Sequence, residues 1–100
     1  MKVDWKSIEI EWDESKSRKI KSERGYSFEE LARFIKNGNV IDFIEHHNKR
    51  EYPNQWFIVV NVNGYPWAVA SEFRKNKLRL ITAFPARKHK KYFREEKDGI

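Results

Sequence analysis

The sequence predicts an α+β fold: a first strand and two helices precede an antiparallel sheet of about four to five strands, and a basic helix ends the chain. Three observations predict it. Ser27-Phe28-Glu29-Glu30 has the pattern of a capping box and opens an amphipathic segment. Asn63-Gly64 lies between two apolar runs and is typical of a type I′ hairpin turn. The 100 residues contain no repeat or linker and suffice for one core, so residues 1–100 are predicted to form a single domain.

The first part of the chain predicts a strand and two helices. Residues 8–12 alternate apolar and charged side chains, which indicates a half-buried strand. Asp13 is a suitable N-cap for a polar helix over residues 15–23, and Gly25 suits the left-handed position after it. The helix after the capping box ends at residues 37–39 and has one apolar stripe, formed by Phe28, Leu31, Ala32 and Ile35.

The second part of the chain predicts the remaining strands. Residues 40–45 form one, and residues 55–62 form a second that is apolar on both faces, as expected for a central strand covered on two sides. A two-residue turn at Lys75-Asn76 would return the chain as a last strand over residues 77–84. This turn fixes the register between residues 65–74 and the last strand. It places Glu72 opposite Arg79, Ala70 opposite Ile81, and Pro66 opposite Pro85. The terminal helix follows over residues 86–96.

Composition restricts the class of protein. There is no cysteine, so disulfides and thiolate metal sites are excluded. No run approaches the roughly 18 apolar residues of a membrane span, and the charged start has no signal-peptide pattern. We therefore expect a cytoplasmic protein without a membrane partner.

Positive charge is concentrated in the last third of the chain. The whole chain carries +6, and residues 74–97 contain ten Lys and Arg against two acids. This asymmetry predicts a polyanion-binding surface, with a solvated basic face as the alternative. Arg87 and Lys88 would lie in the first turn of the terminal helix, where cations oppose the helix dipole at a cost of about 0.3–1 kcal/mol each. Such an arrangement favours a bound phosphate.

Two segments carry a family resemblance. Ile10-Glu11-Trp12-Asp13-Glu14-Ser15-Lys16 and Arg24-Gly25-Tyr26-Ser27-Phe28-Glu29-Glu30-Leu31 resemble the opening of the BrnT toxin family, with its W-D-E-x-K and K-H-G-V-S-F-E-E-A motifs. The similarity is closest over residues 9–37. Asn63-Gly64-Tyr65, Phe84-Pro85-Ala86-Arg87-Lys88 and Lys91-Tyr92 look more like a related branch of small toxins. The resemblance implies a RelE-like fold, metal-free RNA cleavage and neutralisation by a ribbon-helix-helix or similar DNA-binding antitoxin.

The sequence also departs from that family. Arg24 stands where the family has a histidine, so no imidazole role transfers to this position. The family's I-S-A-R strand end is Ile81-Thr82-Ala83-Phe84 here, which moves the basic residue to Arg87.

Metal-free RNA cleavage requires deprotonation of a 2′-hydroxyl, stabilisation of phosphorane charge and protonation of the leaving oxygen. We predict that Arg79 and Arg87 bind the phosphate, because arginine is permanently charged and bidentate. Tyr92 would position or protonate an oxygen or stack on a base, and His47 would act as general acid or base. The remaining predicted RNA-binding residues are cations: Arg74, Lys88, Lys90 and Lys91.

Each of these residues has a purely structural alternative. Arg79 can form a cross-strand ion pair with Glu72, Tyr92 can pack at the edge of the core, and His47 can be an exposed loop histidine. No metal or other cofactor is predicted, because the adjacent His46 and His47 cannot easily chelate one ion.

The sequence thus predicts an endoribonuclease toxin, or mRNA interferase, of a type II toxin-antitoxin pair. It would cut RNA that is either unbound or on the ribosome, and thereby inhibit translation. One alternative is a non-catalytic RNA- or DNA-binding module, since phosphate contacts need not imply chemistry. Another is an interaction protein whose basic face meets an acidic partner.

Overall fold

The structure, a computed structural model, describes residues 3–45 and 50–86. Its elements follow the predicted order: β1 (Glu9–Glu11), α1 (Glu14–Arg24), α2 (Phe28–Lys36), β2 (Val40–Glu45), β3 (Gln55–Val62), β4 (Tyr65–Arg74) and β5 (Lys77–Pro85). The strands form one sheet in the order β1-β5-β4-β3-β2. The fold is therefore α+β, and the predicted terminal helix over residues 86–96 lies outside the described residues but for Ala86.

The sheet is mixed, which corrects the prediction that it is antiparallel. β2, β3, β4 and β5 pair antiparallel, but β1 runs parallel to β5, with Ile10 opposite Leu78. The alternation in residues 8–12 showed which side chains face the core, where Ile8, Ile10 and Trp12 are partly buried. It contained no information on the partner strand or its direction, because that pairing closes a loop through both helices and three strands.

Both helices have the predicted caps, and α1 is one residue longer at each end than the predicted residues 15–23. The Asp13 side chain accepts hydrogen bonds from the backbone amides of Ser15 and Lys16, and Gly25 has the left-handed φ of 94°. The Ser27 hydroxyl accepts from the Glu30 amide while the Glu30 carboxylate accepts from the Ser27 amide, which confirms the capping box. These ends depend on short-range contacts only, and so the local sequence is sufficient to specify them.

The core lies between the helices and one face of the sheet, called here the helix face. All four residues of the predicted α2 stripe are buried. They pack against alternate residues of the central strands: Ile58, Val60, Val62, Trp67, Val69, Leu78, Leu80 and Ala83. The opposite side of the sheet, called the second face, carries the intervening side chains.

The first predicted hairpin is confirmed. Val62 lies opposite Tyr65 and Val60 opposite Trp67. Asn63 and Gly64 both have positive φ, 52° and 90°, as a type I′ turn requires.

The predicted turn of the second hairpin is confirmed, but the predicted register is wrong toward the end of β5. Glu72 lies opposite Arg79 as predicted, but Ala70 pairs with Thr82, not Ile81, and Pro85 pairs with Trp67, not Pro66. A β-bulge between Ala70 and Ser71 leaves Ile81 outside the ladder and shifts the rest by one residue. Because of this shift Ala83 faces the helix core, and Phe84 faces the second face.

A buried hydroxyl joins the two helices. Ser17 Oγ accepts a hydrogen bond of 3.0 Å from the Phe28 amide, one of the amides that α2 itself cannot satisfy, and Ser17 is buried. We expect Ser17→Ala to reduce the free energy of unfolding by about 1–3 kcal/mol, because a buried donor loses its acceptor. Ser22→Ala, at an exposed position of the same helix, is the control and should change it by less than about 0.5 kcal/mol. Urea unfolding measures both, and equal values would contradict this role of Ser17.

Candidate functional site

The second face divides into a charged part and an apolar part. The part nearest β1 is called the charged corner and consists of Glu9, Glu11, Glu72, Arg74, Lys77 and Arg79. The other part is called the apolar half and consists of Phe57, Val59, Pro66, Ala68, Ala70 and Phe84. Two of the predicted site residues, Arg74 and Arg79, therefore lie together in the charged corner.

Arg79 is bound to a carboxylate from β1. Its Nη1 donates to Glu11 Oε2 at 2.9 Å, and the side chains are 33% and 36% exposed, so both groups reach solvent. The parallel register places Glu11 directly opposite Arg79. Asp13 lies near this pair: its pKa is lowered mainly by the Ser15 hydroxyl, with a smaller contribution from the charge of Arg79.

The other cations of the corner are paired as well. Lys77 Nζ lies 2.9 Å from Glu9 Oε2, and this hydrogen bond raises the pKa of Lys77. Arg74 Nε donates to Glu72 Oε1 at 3.0 Å, which raises the pKa of Arg74. Glu72 faces Arg79 in the ladder but bonds Arg74, and the described residues show no Glu72–Arg79 ion pair. The alternative of a Glu72–Arg79 ion pair is therefore wrong, because Arg79 binds Glu11 instead.

The fold makes the charged corner nearly neutral. Three carboxylates stand beside its three cations, although the linear sequence around Arg74 and Arg79 is strongly basic. Glu9 and Glu11 come from the other end of the chain. Residues 87–97, with six cations and two acids, therefore carry most of the positive charge of residues 74–97 that these three carboxylates do not balance.

A second group of cations lies along α1. Arg24 Nη1 donates to the Ala83 carbonyl at 2.8 Å, and Lys16 Nζ lies 3.5 Å from the Ile81 carbonyl. β1 pairs with β5 only as far as Arg79, so these side chains bind carbonyls on the edge that β1 leaves open. Arg18 and Lys19 are exposed and make no ion pair within residues 3–45 and 50–86. Arg24 thus binds the carbonyl of Ala83 near the end of β5.

Not every predicted site residue can be placed. The following lie outside the described residues: His47, Arg87, Lys88, Lys90, Lys91 and Tyr92. Arg79 is six residues before Pro85 on β5, which at about 3.3 Å per residue places them roughly 20 Å apart. Arg79 and the start of the terminal segment are therefore at opposite ends of the strand.

Glu11 is the functional candidate that sequence reasoning missed. It lies 68 residues before Arg79 in the chain, and its place in an alternating strand showed only that it is exposed. Glu11 lines a shallow depression together with Asn54, Glu72 and Lys75, and Arg79 lies beside Glu11. A carboxylate beside a guanidinium at such an opening offers a proton acceptor and an anion-binding group at one place.

In the part of the chain that the structure describes, no three His, Cys, Asp or Glu side chains are grouped as a metal site would require. No helix among these residues is long and apolar enough to cross a membrane.

Comparisons of the chain with protein-family models, with curated proteins and with solved structures returned no match.

Proposed function

We propose that this protein is a metal-independent endoribonuclease, the toxin of a type II toxin-antitoxin pair, and that Glu11 and Arg79 lie at the centre of its RNA site. The observation that carries the proposal is the 2.9 Å contact between the two side chains on the solvent-accessible second face. The resemblance of residues 9–37 to the BrnT toxins supports the same reaction class.

In the proposed reaction Glu11 accepts the proton of a ribose 2′-hydroxyl, and the oxygen attacks the adjacent phosphorus. The bond from phosphorus to the 5′-oxygen breaks, which leaves a 2′,3′-cyclic phosphate and a 5′-hydroxyl. Arg79 balances the charge that develops on the phosphorane oxygens. The leaving oxygen takes its proton from an acid, for which Tyr92 and His47 are the candidates from the sequence.

The contact with Glu11 leaves Arg79 able to bind phosphate. A guanidinium has five N–H donors, and the hydrogen bond to Glu11 uses one of them. Because a third of the side chain is exposed, the remaining donors can meet a phosphate while Glu11 stays in place. The same contact orients the carboxylate, which is the role that an arginine performs beside a positioned base.

We further propose that the partner is a DNA-binding antitoxin of the ribbon-helix-helix or a similar class and that both act in the cytoplasm. An acidic segment of the antitoxin would cover the region of Arg79 and Arg87 and compete with RNA for the same cations. If the neutralised complex bound RNA with the affinity of the free toxin, this mode of inhibition would be wrong.

The proposed function is tested by controlled expression in a bacterium, followed by mapping of RNA ends. We expect growth arrest and new RNA ends with the wild type and their loss with Arg79→Ala, because a phosphate contact disappears. Arg33→Ala is the matched control: Arg33 is 70% exposed on α2 and pairs with Glu29 away from the second face, so this variant should remain toxic. A harmless wild type that binds RNA in a salt-dependent manner without new ends would favour the non-catalytic binding module.

A further inference from the structure

The apolar half of the second face is more deeply buried than the described helices explain. α1 and α2 pack on the helix face, yet on the second face Val59 is 0% exposed and Pro66 is fully buried. The rings of Phe57 and Phe84 meet across β4 with centroids 6.3 Å apart, which shields the alanines between them. Phe84 itself is 37% exposed, so these two rings do not form a complete layer.

The chain itself leads onto this surface. The Ala86 amide donates to the Pro66 carbonyl at 2.9 Å, which extends the β4–β5 ladder by one pair and puts the buried Ala86 beside Pro66. Residues 87–100 follow directly and include the aromatic side chains of Tyr92 and Phe93.

We propose that residues 87–100 dock on the apolar half of the second face and form the second layer that covers β3, β4 and β5. The length is sufficient: crossing from β5 to β3 requires two strand spacings, about 10 Å, and fourteen residues reach about 20 Å even at helical rise. The composition also fits, because Tyr92 and Phe93 can each bury on the order of 150–250 Å². This cover explains why β3 is apolar on both faces.

The segment that follows Ala86 is a better occupant than a second copy or an RNA. It begins at the surface, so it docks without the loss of translational freedom that a separate molecule would incur. An RNA backbone would find alanine, valine, proline and phenylalanine side chains there, and none of the residues of the apolar half is a cation.

The absence of cysteine allows a direct test with single engineered thiols. Ala70→Cys places a thiol in the apolar half, and Ala32→Cys places one under α2 on the helix face; the two alanines are 6% and 7% exposed. The rate of modification by a small thiol reagent is measured at each site in the full chain, with and without the double change Tyr92→Ser and Phe93→Ser. The ratio of the two rates removes any effect of global unfolding.

We expect both thiols to react slowly in the otherwise unchanged chain. The double change should raise the ratio of the Ala70→Cys rate to the Ala32→Cys rate at least tenfold, and Phe93→Leu should leave it nearly unchanged. An unaltered ratio in the double variant would overturn the proposal. So would protection of Ala70→Cys that increases with protein concentration, since a second copy would then be the cover. The measurement needs no RNA. The docking proposal can therefore hold when the ribonuclease proposal fails, and the ribonuclease proposal can hold when the docking proposal fails.

Discussion

Glu11→Gln is expected to slow RNA cleavage by about 10²–10⁴-fold, the range that a positioned general base contributes. The amide is nearly the same size and can still accept the hydrogen bond from Arg79, so the β1–β5 contact is kept while the proton acceptor is removed. Affinity for RNA should remain or increase, because a negative charge beside Arg79 is lost. The measurement is single-turnover cleavage of a short RNA together with its dissociation constant.

Glu9→Gln is the matched control for this variant. Glu9 lies on the same strand and the same face, but it bonds Lys77 and not Arg79. Its neutralisation should leave the cleavage rate within a few-fold of wild type, and Glu11→Asp should keep part of the activity. Equal rates for Glu9→Gln and Glu11→Gln would show that Glu11 contributes only charge, and the proposed base would have to be sought elsewhere.

Phe28→Ala is expected to produce the largest loss of stability, about 3–5 kcal/mol. Phe28 is the first residue of α2 and is completely buried between the helices and the sheet. Its replacement removes apolar contacts and leaves a cavity at the position where Ser17 binds the start of α2. Since domains of this size are stable by about 5–15 kcal/mol, the change is a large fraction of the total. Equilibrium unfolding in urea measures it.

Phe84→Ala provides the comparison with the same chemical change. Phe84 lies on the second face, is 37% exposed and contacts Phe57 at one edge, so the loss should be at most about 1.5 kcal/mol. If the two variants lost equal stability, the helix face would not be the main core of the domain.

The sequence correctly predicted the conformation of those residues whose local structure depends only on near neighbours in the chain. The capping box at Ser27 and Glu30, the left-handed Gly25 and the Asn63-Gly64 turn all appear as predicted. In each case a side chain or a positive φ satisfies backbone groups a few residues away, so a short stretch of sequence contains the whole cause. The α2 stripe follows equally from helical spacing.

The tertiary structure alone decided the composition of the candidate site. The sequence identified Arg79 and Arg74 as cations near a turn, but it could not show that β1 would run parallel to β5 and bring Glu11 to Arg79. Nor could it show the bulge at Ile81 that turns Phe84 to the second face. Both depend on which strands meet and in what register, and that is settled by the packing of the whole sheet against its helices rather than by any local preference. The sequence thus determined the elements and their ends. Long-range pairing determined which charges meet: it brought carboxylates of β1 beside the cations of β5, so that the charged corner is nearly neutral.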